Sequence, residues 1–417
     1  MPETVASPPA PLNELAYFAR VTTRDHRAIE EALAGATLLT ESPKLAGVVV
    51  ESSYASGDPP LLKRLREDRV PRIVDPQSLR FVGSRFLEVD ALSGLPYAPS
   101  VPIVGRELTP ADAGKLARGA LEFEQHVGAD AYVAPGLPLF DFDLDSWLTA
   151  NDRVLEAACS VNGSVELDRR PMLALVAPGP QAMSQPEKVV SRLLDSPIDG
   201  VYLQPLRLDP VRDSLEKLAR FVQFAHAFRG AGIPVVVGRV GAFGLVLNAL
   251  GITAFDSGLG QAEGHDLASL NRPMTERERQ RREAGEGSGG PAQRVYLAAL
   301  KTTFDSKVAD AILADKDLRH RFTCTLSCCR FRGFDDLATR AREHYLWTRE
   351  SEVEALRNIP IAAMRMTHVE SQLRAAQDLA NVVTRTLKGA DAKVPELGHI
   401  ERWLGLLARE QAMALTA

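Results

Sequence analysis

Residues 233–260 read IPVVVGRVGAFGLVLNALGITAFDSGLG, and the reading of this stretch decides the fold. Pro234–Val237 is too short for a helix and is rich in β-branched strand formers. A glycine-punctuated turn, Gly238-Arg239-Val240-Gly241, follows it. Phe243–Leu250 continues as an apolar helical run, and Gly251 stands where a C-terminal capping glycine would end it. Ile252–Phe255 reads as a second short strand that stops on Asp256, ahead of Ser257-Gly258-Leu259-Gly260. Strand, helix, strand is a βαβ unit. A carboxylate at the C-terminal end of a buried parallel strand stands where barrel proteins keep their reactive groups.

The same alternation runs back toward the N-terminus. Leu45–Val50 is a strand ending in Glu51-Ser52-Ser53-Tyr54, and Arg72–Val74 is one ending on Asp75-Pro76. Ala129–Val133, Met172–Val176 and Gly200–Leu203 follow, the last running into Gln204-Pro205, and a first strand is expected near Ala16–Val21. Between them lie helical patterns at Pro59–Asp68, Leu144–Ala158 and Asp209–Arg229, one beginning at Ser184, and one from Thr109 to about Val127. The Thr109 helix has Thr as N-cap, Pro at the first helical position and an acid in the first turn. Phe81–Arg106 looks like an irregular or hairpin insertion. About eight strands alternating with helices predict an α/β fold, a (β/α)8 TIM-like barrel. A doubly wound open sheet is the alternative, but no G-x-G-x-x-G follows the first strand.

Composition narrows the class. A chain of 417 residues, 45% hydrophobic and 25% charged, suits a globular protein with a large core. No apolar run reaches membrane-spanning length, and the N-terminus has no basic or apolar signal region. Three of the four cysteines, Cys324, Cys328 and Cys329, crowd together, which suits a metal site or redox pair better than a disulfide framework. The expectation is a reducing, cytoplasmic setting with no membrane. The net charge of −5 excludes a generally basic nucleic-acid binder. Residues 272–345 nevertheless hold 15 Lys/Arg against 11 Asp/Glu. The predicted division is a barrel over 1–270, a flexible polar linker over 271–291, a metal-binding subdomain over 292–349 and a helical segment over 350–417.

The stretch VVVGRVGAFGLVLNALGITAFDSGLG resembles the late barrel segment of the tRNA-guanine transglycosylase superfamily, the queuine and archaeosine tRNA-ribosyltransferase type. There a glycine-bearing strand end, a helix and a hydrophobic-Phe-Asp triplet deliver a catalytic aspartate. The resemblance covers roughly Val48–Leu346. It implies that Asp256 is the nucleophile of a pentosyltransferase, attacking C1′ of a nucleoside to give a covalent glycosyl-aspartate that a second base resolves. Upstream, Pro-Arg-Ile-Val-Asp at 71–75 matches a second family strand end, whose aspartate reads the guanine edge; by that match Asp75 takes this role. The family continues Asp-Ser-Gly-Gly-Phe, whereas this chain has Asp-Pro-Gln-Ser-Leu.

The family also binds structural zinc through Cys-x-Cys-x-x-Cys and a distant His. Here Cys324 and Cys329 fit the first and third cysteines, Leu326 stands at the second, Cys328 is its neighbour, and His344 is the expected fourth ligand, with His320 in reserve. Gly238, Arg239, Gln204 and Ser257 are the expected substrate-binding positions. Gly238–Gly244 could hold a phosphate or ribose through backbone N–H groups. Gln204-Pro205 and Ala177-Pro178-Gly179 replace glycine turns of the tRNA enzymes, so the expected polymer is DNA or tRNA and the expected incoming base a 7-deazaguanine. Arg277, Arg279, Arg281, Arg282, Arg319, Arg321, Arg330 and Arg332 could track a phosphate backbone. A homodimer or partner subunits also fit. Each motif has a plainer alternative: turn-capping for Asp256 and Asp75, metal-free thiols for the cysteines, a solvated face for the arginines. At the level of the whole chain, the alternatives are a non-catalytic nucleic-acid-binding or partner subunit, or an unrelated barrel enzyme acting on a phosphorylated small molecule.

Overall fold

In the computed structural model, eight parallel strands close on one another: β1 Ala16–Val21, β2 Val48–Glu51, β3 Arg72–Asp75, β4 Tyr132–Ala134, β5 Met172–Pro178, β6 Gly200–Leu203, β7 Val235–Val237 and β8 Ala254–Ser257. The structure describes residues 14–23, 25–36, 45–165, 167–260, 263–284, 294–329, 337, 339–389 and 395–416. Each strand pairs with its neighbours in the chain, β1 pairs with β8, and a parallel bridge between Ile73 and Ala131 completes the ring. With helices outside, this is the expected (β/α)8 barrel.

Side chains on a strand alternate between two faces, and that alternation builds two cores. Phe18, Val49, Ile73, Leu175, Tyr202 and Val236 belong to the cluster that fills the barrel. Their neighbours Ala19, Val50, Val74, Val176, Leu203 and Val237 belong to the larger cluster shared with the helices. Two residues further along, the inward series becomes Arg20, Glu51, Asp75, Gln204, Gly238 and Asp256. The apolar interior therefore ends in a polar layer at the C-terminal ends of the strands.

The deciding stretch keeps its strand–helix–strand order, with the first strand starting at Val235 and the helix ending at Ala249, each one residue short of its reading, and a larger shift in the second strand. The second strand is Ala254–Ser257, two residues later than Ile252–Phe255. The cause is the exit of helix Phe243–Ala249: Gly251 takes φ +87°, its N–H reaches Asn248 O at 3.0 Å, and Ile252 N–H reaches Leu247 O at 2.9 Å. That Schellman pattern consumes Ile252 for helix termination, so Asp256 lies inside the strand rather than after it.

Thr109 caps its helix as expected, accepting from Asp112 N. The helix expected from Asp209 begins only at Leu215, because Ser214 caps it. The 81–106 insertion is built of 3-10 turns and one short helix, Asp90–Ser93, with no hairpin. Within 271–291, Glu276–Glu283 is a helix, while residues 285–291 lie outside the described residues. An antiparallel hairpin, Arg294–Leu297 with Thr302–Asp305, follows. Helix Ala341–Arg357 runs unbroken across the division drawn at 349/350. It packs on the barrel, with Arg357 donating to Leu15 O, and Trp403 of the last helix donates to Pro210 O at 3.0 Å. Among the described residues no helix is long and apolar enough to cross a membrane.

A Cβ on Gly244 would fall 2.1–2.3 Å from ring carbons of the buried Phe255. Alanine favours a helix over glycine by up to about 1 kcal/mol, but forcing a methyl into a filled core costs roughly 1–3 kcal/mol. Gly244→Ala is therefore expected to lower the unfolding free energy, read as a lower urea midpoint; an unchanged or raised midpoint would contradict this packing.

Candidate functional site

The polar layer is organised by one guanidinium. Arg20, fully buried on β1, donates from Nε to Asp256 Oδ1 at 2.8 Å and from Nη2 to Asp256 Oδ2 at 3.2 Å. Its Nη1 reaches Asp75 Oδ2 at 2.8 Å and Glu51 Oε1 at 3.4 Å, and Nη2 also donates to the Tyr202 hydroxyl. Five N–H donors thus meet five acceptors. Burial works against a charged Arg20, but Asp256, Tyr202, Asp75 and Glu51 together drive its pKa well above the usual value.

Asp256 is fully buried and saturated. Besides Arg20, it accepts from the Tyr202 hydroxyl and from the Arg239 backbone N–H at 3.3 Å. Four donors meet the roughly four acceptor sites of a carboxylate. Burial, with the nearby Asp256 charge, pushes the Tyr202 pKa well above normal, so its hydroxyl keeps the proton it donates. Arg239 presents its N–H from a left-handed conformation, φ +61°, uncommon outside glycine. Its Nη2 binds Glu51 Oε1 at 2.5 Å. A Cβ on Gly238 would stand 3.0 Å from the Tyr202 hydroxyl and 3.1 Å from Asp256 Oδ2, so the glycine gives this cluster its room.

Asp75 differs from Asp256 in one acceptor position. Its Oδ2 accepts from Arg20 and from Gln204 Nε2 at 3.0 Å, while among the described residues Oδ1 accepts only the Gln77 N–H at 2.9 Å. Burial would raise its pKa, but Arg20 and Arg239 outweigh burial and hold it below the ordinary carboxylate range. Nearby, His265 Nδ1 donates to Pro205 O at 2.5 Å. Burial, reinforced by Arg239, lowers its pKa to about 4, so its ring is neutral at pH 7.

The expected residues Asp256, Asp75, Gln204, Gly238 and Arg239 thus come together. Ser257 does not: it points to the opposite face of β8, with Oγ 3.0 Å from the Tyr345 hydroxyl. Sequence reading missed Arg20, Glu51 and Tyr202. The signal was available, since with Ala16 and Phe18 inward the period of two puts Arg20 inward as well. Among the expected backbone-tracking arginines, Arg279 pairs with Glu276 and Glu88, while Arg330 and Arg332 lie outside the described residues.

A second centre lies at the far end of the chain. The Cys324, Cys328 and Cys329 sulfurs and one His344 ring nitrogen all fall within 4.8 Å of one another. Cys328 and Cys329 Sγ are 3.7 Å apart, and His344 Nδ1 is 3.9 and 3.4 Å from them. Metal bonds of about 2.3 Å to sulfur and 2.0 Å to nitrogen give tetrahedral edges of roughly 3.5–3.8 Å. The three separations among Cys328, Cys329 and His344 are close to that size, and with Cys324 within 4.8 Å of them the set has the number and type of donors that a four-coordinate ion takes. His344 Nε2 lies 3.2 Å from Tyr296 O, which orients the ring with Nδ1 toward the thiols.

No known family profile and no curated protein matches the chain. Similar solved structures include a protein from Burkholderia cenocepacia J2315 described provisionally as a lyase/mutase (14% identity, 60% of this chain and 78% of that chain, TM-score 0.33). They also include an HpcH/HpaI aldolase from Desulfitobacterium hafniense DCB-2 (14%, 67% and 95%, 0.32). A third is an enolase protein from Sargasso Sea environmental sequencing (12%, 59% and 54%, 0.28). At such identities and scores they fix neither chemistry nor ligand.

Two measurements probe these centres. Arg20→Met leaves buried carboxylates without their cation, which typically costs about 3–5 kcal/mol. The lowered pKa of Asp75 contributes stability that is present above its unfolded value near 3.9 and lost as pH falls through the folded one. The deficit of Arg20→Met against wild type should accordingly persist from neutral pH down to about pH 4 and shrink below it in urea titrations. Purified protein is expected to hold one metal ion per chain, and Cys329→Ser to lose it together with thermal stability; elemental analysis finding no metal in the wild type would remove the centre.

Proposed function

We propose that this chain is a base-exchange transglycosylase, replacing guanine in DNA or tRNA by a 7-deazaguanine base. The reading is carried by one observation: the strand-end carboxylates of β3 and β8, Asp75 and Asp256, lie in one layer at the C-terminal end of the barrel and share one guanidinium. That end is where barrel enzymes do their chemistry. Asp256, kept close to a fixed cation, attacks C1′; the glycosidic bond breaks, and its electron pair leaves with guanine. The incoming base then attacks C1′ and returns the carboxylate, so two displacements retain configuration. Asp75, held ionised, has one acceptor position left on Oδ1, which suits an N–H of the guanine edge. The base has to leave its stack to reach the barrel.

Attack also requires Asp256 to release a donor. Its longest contacts, Arg239 N–H at 3.3 Å and Arg20 Nη2 at 3.2 Å, are the ones that yield first. The metal at Cys324, Cys328, Cys329 and His344 is zinc in this reading. With all four positions taken by protein ligands it is structural, contributing folding energy and no reaction step.

The saturation of Asp256 favours a second reading, in which the charge cluster only braces the barrel and the chain serves as a nucleic-acid-binding or partner subunit.

Denaturing gels after incubation with labelled tRNA or duplex DNA, with and without a guanine analogue, separate the two. Wild type is expected to form an adduct and exchange guanine; Asp256→Asn should do neither while still binding the polymer. An adduct that persists in Asp256→Asn moves the nucleophile elsewhere. Absence of activity on both polymers, with base and partners supplied, supports the bracing role.

A further inference from the structure

The two centres are joined by one helix. His344 and Tyr345 are adjacent on Ala341–Arg357, about 100° apart around its axis; the first faces the cysteines and the second the barrel. Tyr345 has a single hydroxyl proton, and it goes to Glu263 Oε1 at 2.7 Å. The 3.0 Å contact with Ser257 is then a bond donated by Ser257 Oγ to the tyrosine oxygen. The other oxygen of Glu263 accepts from Thr303 Oγ1 at 2.6 Å, which ties the same point to the hairpin. Ser257 O accepts from Tyr17 at 3.4 Å. On the metal side, Tyr296 O receives His344 Nε2, and the Tyr296 and Tyr345 rings meet edge-on at 5.2 Å. The Arg349 guanidinium lies 4.4 Å from one ring centroid and 5.1 Å from the other. His344, Tyr345, Tyr296, Arg349 and Ser257 are all buried, so a shift of the His344 turn cannot be absorbed by solvent.

We infer that Tyr345 is a positioning residue for Asp256, and that metal loading of the cysteine–histidine cluster is transmitted through it to the end of β8. The functional part of this inference rests on Asp256 as the reacting group; the mechanical part does not. Ser257 follows Asp256 directly, and its side chain is clamped from outside while Asp256 is clamped from inside by Arg20. An ion that fixes His344 fixes the turn from which Tyr345 projects. Without it, the outer clamp loses its anchor.

Hydrogen–deuterium exchange of the full-length protein tests this without any assay of activity. In wild type, stripping the metal with a chelator is expected to speed exchange at the amides of Ser257, Gly258, Leu259 and Gly260 several-fold. Tyr345→Phe keeps the ring and removes the hydroxyl. It should retain one metal per chain, show the faster exchange at 257–260 already in the loaded state, and respond little further to chelation. If chelation speeds exchange near the cysteines but leaves 257–260 unchanged, or if metal-loaded Tyr345→Phe exchanges there like wild type, the inference is overturned. In guanine exchange, the same variant should lower kcat several-fold with KM nearly unchanged. An inactive wild type would count against the transglycosylase reading alone, because the exchange measurement stands without it.

Discussion

The structure depends on a positive charge placed where water does not reach. Moving a guanidinium out of water is expensive, and a buried ion pair often returns no more than it costs. The Arg20 cluster is therefore better understood as a source of geometry than of stability. Five donors in a rigid plane set the relative positions of β1, β2, β3, β6 and β8. Any strand that slipped by one residue would turn its polar end out of the layer and an apolar one into it. The cluster thus fixes register around most of the ring, and the left-handed Arg239 and the bare Cα of Gly238 are the local adjustments that let the last two strands join it.

Much of the barrel was legible because its signals are local. β-branched runs, a threonine cap and a glycine C-cap each act within a few residues, and the strands at Ala16–Val21 and Gly200–Leu203 stand where the pattern put them. The two-residue shift of β8 arose from a competition that pattern alone does not resolve: Ile252 suits a strand but is claimed by the helix before it. The carboxylates were legible as strand ends. Arg20 was legible as an inward position but not as the hub of the layer, because that role comes from partners supplied by distant strands. Ser257 was misplaced by the same shift: read as a turn residue it was free to face the site, but as the last residue of the strand it alternates with Asp256 and faces outward.

The residues of the cysteine–histidine cluster were legible by type and spacing, but their placement was not. Helix Ala341–Arg357 serves at once as the source of the cluster's histidine, a wall against the barrel and a hydrogen-bond partner of β8. A segment with three such duties does not separate into the blocks that composition suggests, and the boundary drawn through it from sequence cuts a continuous element.

The pairing of β1 with β8 has a consequence for how the chain is made. Arg20 is separated from Asp256, Tyr202 and Asp75 by 236, 182 and 55 positions. As synthesis proceeds from the N-terminus, the first strand emerges with its arginine, is followed by Glu51 and Asp75 and much later by Tyr202, and waits for Asp256 until the eighth strand has left the ribosome. Contacts of such separation form slowly, and partly built intermediates expose strand edges. An unclosed barrel would present β1 as an open edge carrying a charge that still lacks its Asp256 partner, which discourages pairing with other chains. The residue that later locks the ring would meanwhile protect its opening.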